Sequence, residues 1–151
     1  MKTEMLLWLI FTVIGVLVGA IAFALAMAEE KLTEVKIWVT QHFMQLGHTE
    51  GAIYTAFGFY VMFSIILSGL AGVLTVYVAP GASGSGIPEI MGVLNGVKYP
   101  NIFTKRVLVV KVVGVMLAVS GTLCIGKEGP LAHIGAIVAV LCLEAPFGFL
   151  A

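Results

Sequence analysis

The chain has 151 residues, 60% of them hydrophobic and only 11% charged. Soluble domains carry about 25% charged residues, so an ordinary soluble fold is excluded, and a formal net charge of zero leaves no electrostatic footprint for a nucleic acid. The apolar surplus lies in uninterrupted blocks rather than in an amphipathic pattern, so the chain reads as an all-α integral membrane protein that spans the lipid bilayer more than once.

The first block, MLLWLIFTVIGVLVGAIAFALAMA (5–28), is uncharged and longer than the ~20 residues a membrane helix needs. It exceeds the apolar core of a signal peptide, and no clear small-residue cleavage site precedes the following charges. Gly15 and Gly19 form a GxxxG step, which admits a close helix neighbour. Residues 29–50 (EEKLTEVKIWVTQHFMQLGHTE) carry four acids and two lysines and read as a polar, amphipathic connection. A second charge-free helix is expected over about 52–78, ended by Pro80.

GASGSGIPEI (81–90) cannot be an ordinary membrane helix, because its glycines and serines break regular structure. Pro88 suits the first turn of a short helix over 87–95, where its missing N–H leaves no gap. Residues 96–106 (GVKYPNIFTKR) form a basic loop, counted here together with Lys111. The positive-inside rule places that loop in the cytosol and the acidic 29–50 connection on the far side. A third helix is expected over 107–123. IGKEGP interrupts the apolar run, and a last helix over about 128–143 ends before Pro146.

The two breaks carry the chemistry. Non-helical backbone at membrane depth is tolerated where it is buried in protein or lines a polar cavity. A new helix after such a break presents unpaired N–H groups and the positive end of its dipole, which together make an anion site. Two such starts suggest one anion held from two directions, a known transporter device. Ser85 adds a hydroxyl donor at the first start. Glu128 stands at the second, and its carboxylate is itself an anion. It can occupy the site when ionised and leave it when protonated, a tethered competitor for the transported ion. An intramembrane acid is functional by default, while an interfacial loop with Lys127 and Glu128 in water is the plainer alternative. His133 reads as a hydrogen-bonded packing residue, Glu89 as a neutraliser of its helix start and Ser83 as a turn residue.

Other motifs fail on inspection. GTLCIGKE (121–128) has the spacing of a phosphate-binding loop but has Glu where Mg²⁺ needs Ser or Thr. GASGSG is not a dinucleotide fingerprint. GASG with His133 as base gives only a four-residue resemblance to an intramembrane serine protease, so the chain is not read as an enzyme. Cys124 and Cys142 suggest no metal site, and no cofactor is implied.

GSGIPE (84–89) and GKEGP (126–130) resemble the signature motifs of the CLC chloride channel and transporter family, in order and in their spacing across an apolar helix. LNGV (94–97) and LAHIGA (131–136) look most like its eukaryotic, intracellular-membrane branch. The resemblance runs from about residue 5 to 143. It implies a CLC-type bundle of long, tilted and broken transmembrane helices, of which this chain holds the first inverted half. It implies Ser85 as the hydroxyl at the central chloride, favouring chloride over nitrate, with the backbone of Gly84, Gly86, Ile87, Pro88, Gly126, Lys127, Gly129 and Pro130 lining the ions. Glu128 would be the gating glutamate, which carries the proton in exchangers. The family resemblance further implies chloride and protons as the transported partners, a homodimer with one pore per subunit, and an endosomal, lysosomal or vacuolar membrane. Later family elements lie beyond the chain: the second half, the inner proton glutamate and the cytosolic nucleotide-binding domains. The chain is therefore expected to hold about half of an ion site and not to conduct alone. A proton-coupled antiporter is the leading expectation, a passive channel the nearest alternative and a regulatory membrane fragment the reading from another class.

Overall fold

The structure, a computed structural model, describes residues 2–46 and 50–147, and this part consists of helices and their connections. Helix α1 spans Lys2–Leu46 and α2 spans Glu50–Val73, continued by a π-helical turn over Leu74–Val78. A single 3₁₀ turn, Pro80–Ala82, leads to the first break. Helix α3 spans Ile87–Leu94, α4 Lys105–Ser120 and α5 Glu128–Phe147.

Helix α1 departs most from expectation. It does not stop at Glu29 but runs on for 45 residues, about 67 Å of helix and more than twice the ~30 Å hydrocarbon layer. The polar stretch is therefore helix, and only residues 47–49 of the expected connection lie outside the described residues. The cause is periodicity. Ile10, Ile14, Val18, Ile21, Leu25, Ala28, Leu32, Lys36, Val39 and Phe43 follow one another in steps of three or four. Together they make one continuous stripe of buried or half-buried positions on a single face. No Gly or Pro intervenes between Ala20 and Leu46 to end it. The charges Glu30 and Lys31 sit on the opposite face. Gly15 and Gly19 also lie off the stripe, with no atom within 4 Å of where a Cβ would stand, so the GxxxG step receives no neighbour among the described residues.

Lys36 belongs to that stripe and is completely buried. Its ammonium donates to Ser64 Oγ at 2.7 Å, Thr122 Oγ1 at 3.3 Å and the Ser120 carbonyl at 3.4 Å. It also lies 3.9 Å from the centre of the Tyr60 ring. A lone lysine costs about 3 kcal/mol even at the bilayer centre. Charged hydrogen bonds restore about 1.5–3 kcal/mol each and the ring face about 1 kcal/mol more. The buried charge is thus accommodated, and it ties α1, α2 and the end of α4 together. An ammonium counted in a polar loop is in fact a core group.

The remaining helix limits shift for local reasons. Pro80 has no N–H to extend a helix, and the chain widens into a π turn before it, closed by the Ala79 N–H to the Leu74 carbonyl. Helix α4 starts two residues before the expected 107 because Thr104 caps it, its hydroxyl accepting from the Val107 N–H at 3.4 Å. It ends at Ser120 rather than 123, where Gly121 passes so close to Ser68 that a Cβ there would lie 2.5 Å from the serine hydroxyl. Helix α5 continues through Pro146 to Phe147, since a proline in the last turn removes a single bond. The central packing joins Ala79, Ala82, Val107, Val110 and Ile137, with Leu74, Phe103, Leu108 and Leu141 against them. This knot of small and branched residues holds the first break against α4 and α5.

Helix α2 separates the α1–α2 turn from the α3–α4 connection by its whole length. Lys36 meets Ser64 at the middle of α2, and Gly81, just past its second end, lies beside Asn101 and Ile102. Lys98, Lys105 and Arg106 are exposed at that second end, whereas Lys111 is buried and drops out of the loop charge. Three cations still outnumber the acids there, so the orientation rule keeps its sign. Single cysteines at Thr49 and Asn101 should label from opposite sides of the membrane, Asn101 from the cytosol. Labelling of both from one side would contradict the arrangement.

Candidate functional site

The two breaks meet. After the 3₁₀ turn, Gly84 and Gly86 both take left-handed backbone, with φ of 65° and 79°, a region that only glycine enters freely. This turns the chain sharply into α3. At Gly86 a Cβ would stand 2.2 Å from His133 Nδ1 on α5, so the first break lies directly on the fifth helix. At Gly129, the second residue of α5, a Cβ would stand 2.7 Å from Ser85 Cβ. The glycines of the two motifs are therefore the points where the breaks touch, and the N-termini of α3 and α5 converge on the same region.

A cleft of about 700 Å³ opens beside this junction. Ser83, Gly84 and Ser85 line it from the first break, and Leu123, Cys124, Ile125, Gly126 and Pro130 from the second. Lys111, Gly114 and Val115 of α4 form one wall. Ser85 Oγ accepts from the Ile87 N–H at 3.3 Å, which leaves the hydroxyl hydrogen free to donate elsewhere. The first helical bonds are Ile90 N–H to the Gly86 carbonyl in α3 and Leu131 N–H to the Lys127 carbonyl in α5, at 3.1 and 2.9 Å. The N–H groups of Glu128 and Gly129 stand ahead of the second of these, as the donors at a helix start do.

Lys111 is a site residue whose charge, in the sequence, counts only toward the neighbouring basic loop. It is 2% exposed, and its ammonium donates to the carbonyls of Gly84 at 2.8 Å, Ala82 at 3.1 Å and Ser83 at 3.4 Å. It ties down the carbonyls of the first break. It also brings a positive charge to the cleft wall, and among the described residues no acid lies within ion-pairing distance of it. The signal was present in VLVVKVVGV, a lone cation among apolar residues. Like Glu128, it is an ionisable side chain at membrane depth, where charge is costly and marks function.

The expected site residues separate into groups. Gly84, Ser85, Gly126 and Pro130 line the cleft. Gly86 and Gly129 hold the junction. Ile87 and Pro88 form the exposed first turn of α3. Glu128 opens α5 with an exposed side chain. Lys127 does not turn toward the cleft; its ammonium pairs with Glu29 of α1 at 2.6 Å. Glu89 lies in the first turn of α3 with one carboxylate oxygen buried. His133 is fully buried in edge-to-face contact with Phe103, ring centres 5.8 Å apart. Neither of its nitrogens makes a well-formed hydrogen bond among the described residues. No group of three or more His, Cys, Asp or Glu able to hold a metal occurs among the described residues.

The arrangement has known counterparts. The family described as "Voltage gated chloride channel" matches residues 62–149. The chain is 47% identical over 135 residues to the putative chloride channel-like protein CLC-g of Arabidopsis thaliana, with 87% of this chain and 17% of the relative aligned. It is 34% identical over 132 residues to the H(+)/Cl(-) exchange transporter 7 of Homo sapiens, covering 87% of this chain and 16% of that protein. The chain thus spans about a sixth of the length of these curated relatives. The crystal structure of a eukaryotic CLC transporter superposes with a TM-score of 0.78 at 26% identity, over 93% of this chain and 25% of that one. The chain belongs to the CLC voltage gated chloride channel family and carries part of that family's transporter fold.

Proposed function

We propose that this chain forms one side of a chloride pathway that couples chloride movement to protons, working within a complete CLC membrane domain of an intracellular membrane. The observation that carries the reading is the convergence of two helix N-termini at the Ser85–Gly129 contact. Two dipole ends and their free amides favour an anion between them, and the Lys111 charge on the wall adds to that field. In this reading chloride takes donors from Ser85 and from the backbone N–H groups of 84–87 and 126–129, while Pro88 and Pro130, which have no N–H, shape the two helix starts. Glu128, anchored on the same helix start, competes for the position when ionised and carries a proton when it leaves. The kinship with a proton/chloride exchanger supports antiport over passive conduction. Endosomal, lysosomal or vacuolar placement and a homodimer belong to the same proposal. One side of a site does not surround an ion, and a half-coordinated anion in lipid is too costly, so residues 1–151 alone should not conduct. The decisive experiment is parallel chloride and proton flux on Glu128→Gln in a full-length background.

Ser85 gives a second test. Its hydroxyl hydrogen is free, so Ser85→Pro removes a donor from the anion without removing the helix start. A site that hydrogen-bonds its ligand discriminates through that bond. Replacement should raise nitrate transport relative to chloride, by about tenfold for one lost charged hydrogen bond. An unchanged nitrate-to-chloride ratio in anion-replacement fluxes would count against Ser85 as a ligand.

A further inference from the structure

The second break is held at both of its ends by one face of α1. At its start, Lys36 donates to the Ser120 carbonyl and to Thr122 Oγ1. Thr122 there takes a left-handed backbone, with φ of 62°, uncommon for a β-branched residue. Its hydroxyl also lies 3.3 Å from Ser64 Oγ, so the turn is fixed to α2 as well. At the end of the break, Glu29 pairs with Lys127 at 2.6 Å, immediately before Glu128. Glu29 and Lys36 are seven residues apart, two turns on the same face and about 10 Å along the axis. The five steps from Thr122 to Lys127 can reach at most about 17 Å. The backbone between the anchors is not fully extended: within it the Ile125 N–H donates to the Leu123 carbonyl at 2.8 Å, which makes a tight turn. The segment bows, and its residues Leu123, Cys124, Ile125 and Gly126 line the cleft.

We propose that Glu29 and Lys36 are positioning residues. As a two-ended clamp, they set the shape of the bowed segment and thereby where Glu128 and the amides of the α5 start stand. The inference rests on the reading of Glu128 as the gate. The uninterrupted helix α1 is the rigid ruler that spaces the two anchors. The clamp also gives the buried ammonium a task beyond holding helices together. The Glu29–Lys127 pair is partly exposed, its side chains 15% and 41% accessible. Such a pair adds little stability, so its consequence is geometric.

The test uses the full-length protein, with Glu29→Gln and Lys36→Met made singly. Lys31→Met serves as control: Lys31 sits on the outer face of the same helix, paired with Glu34 at 2.6 Å. Two quantities are read. One is the ratio of protons to chloride moved per turnover, which loss of folded protein cannot change. The other is the width of the distance distribution between spin labels at Glu30 and Ile125, with the native cysteines of the full-length protein replaced by serine. Both clamp variants should broaden the distribution, lower the proton-to-chloride ratio and slow turnover by about tenfold or more, as misplacement of a reacting group does. Lys31→Met should match wild type in all three. A narrow, unshifted distribution with a wild-type ratio in both variants would overturn the clamp. A broadened distribution with an unchanged ratio would overturn its positioning role. Should Lys36→Met fail to fold, Glu29→Gln, which changes one atom on a partly exposed side chain, decides alone. Glu128→Gln measured beside them separates the two claims. Retained proton coupling in that variant defeats the gate, whatever the labels report.

Discussion

Glu128→Gln, in a full-length background, should reduce proton movement to the level of protein-free liposomes while chloride continues to flow. The amide has nearly the shape of the carboxyl but carries no charge and cannot take up a proton. Removing a proton carrier from its position costs at least about a hundredfold, so this is the largest single effect expected of any site residue. Chloride responds differently. The neutral side chain no longer competes for the dipole ends at α3 and α5, and the anion site should stay open. The part of the pH dependence that reports this group should disappear with it. A charge merely solvated at an exposed helix start predicts almost no change in either flux, and a passive channel predicts no proton flux in the unmutated protein. Proton movement persisting at its wild-type ratio to chloride would remove Glu128 from the mechanism.

The sequence shows the breaks more clearly than the helix ends. Glycine clusters and charges inside apolar runs are local signals, so 81–88 and 126–130 stand out without any knowledge of contacts. Convergence of the two breaks is not local. Gly129 meets Ser85 and Gly86 meets His133 across more than forty residues of chain, and only the packing of α4 and α5 brings them together. Charge misleads in the opposite direction. Lys36 and Lys111 look like loop residues when charges are counted, yet both are buried with all their donors directed at oxygen atoms. The hydrophobic stripe through α1 continues beneath Glu29 and Lys31, and a rule based on uncharged length stops where that stripe does not. Position on a helix face, rather than the presence of a charge, decides whether a span has ended.

Gly86→Ala should be the most damaging small substitution in the first break, and Gly84→Ala a mild one. Both glycines have left-handed backbone, at 79° and 65°, where an alanine costs roughly 1–2 kcal/mol. Their surroundings differ. At Gly84 nothing lies within 4 Å of the added carbon, so the backbone term is the whole cost. At Gly86 the carbon would lie 2.2 Å from His133 Nδ1, 2.3 Å from Cγ and 2.6 Å from Cβ. The ring cannot give way by rotating its tip, because its own Cβ is among the clashing atoms and Phe103 packs against its face. Either α3 moves off α5 or the core around Ile134 and Ile137 opens. Overpacking of that kind costs a further ~1–3 kcal/mol, for a total of about 2–5 kcal/mol. Against a typical stability of 5–15 kcal/mol, this separates a tolerated variant from a poorly folded one. Detergent-solubilised full-length protein should show a markedly lower thermal midpoint and yield for Gly86→Ala than for Gly84→Ala. Adding His133→Ala to Gly86→Ala removes the ring from the clash and should recover part of that loss, leaving the backbone term and the new cavity. Equal midpoints for the two single variants would mean that Gly86 does not rest on His133, and the contact that seats the first break on α5 would have to be abandoned.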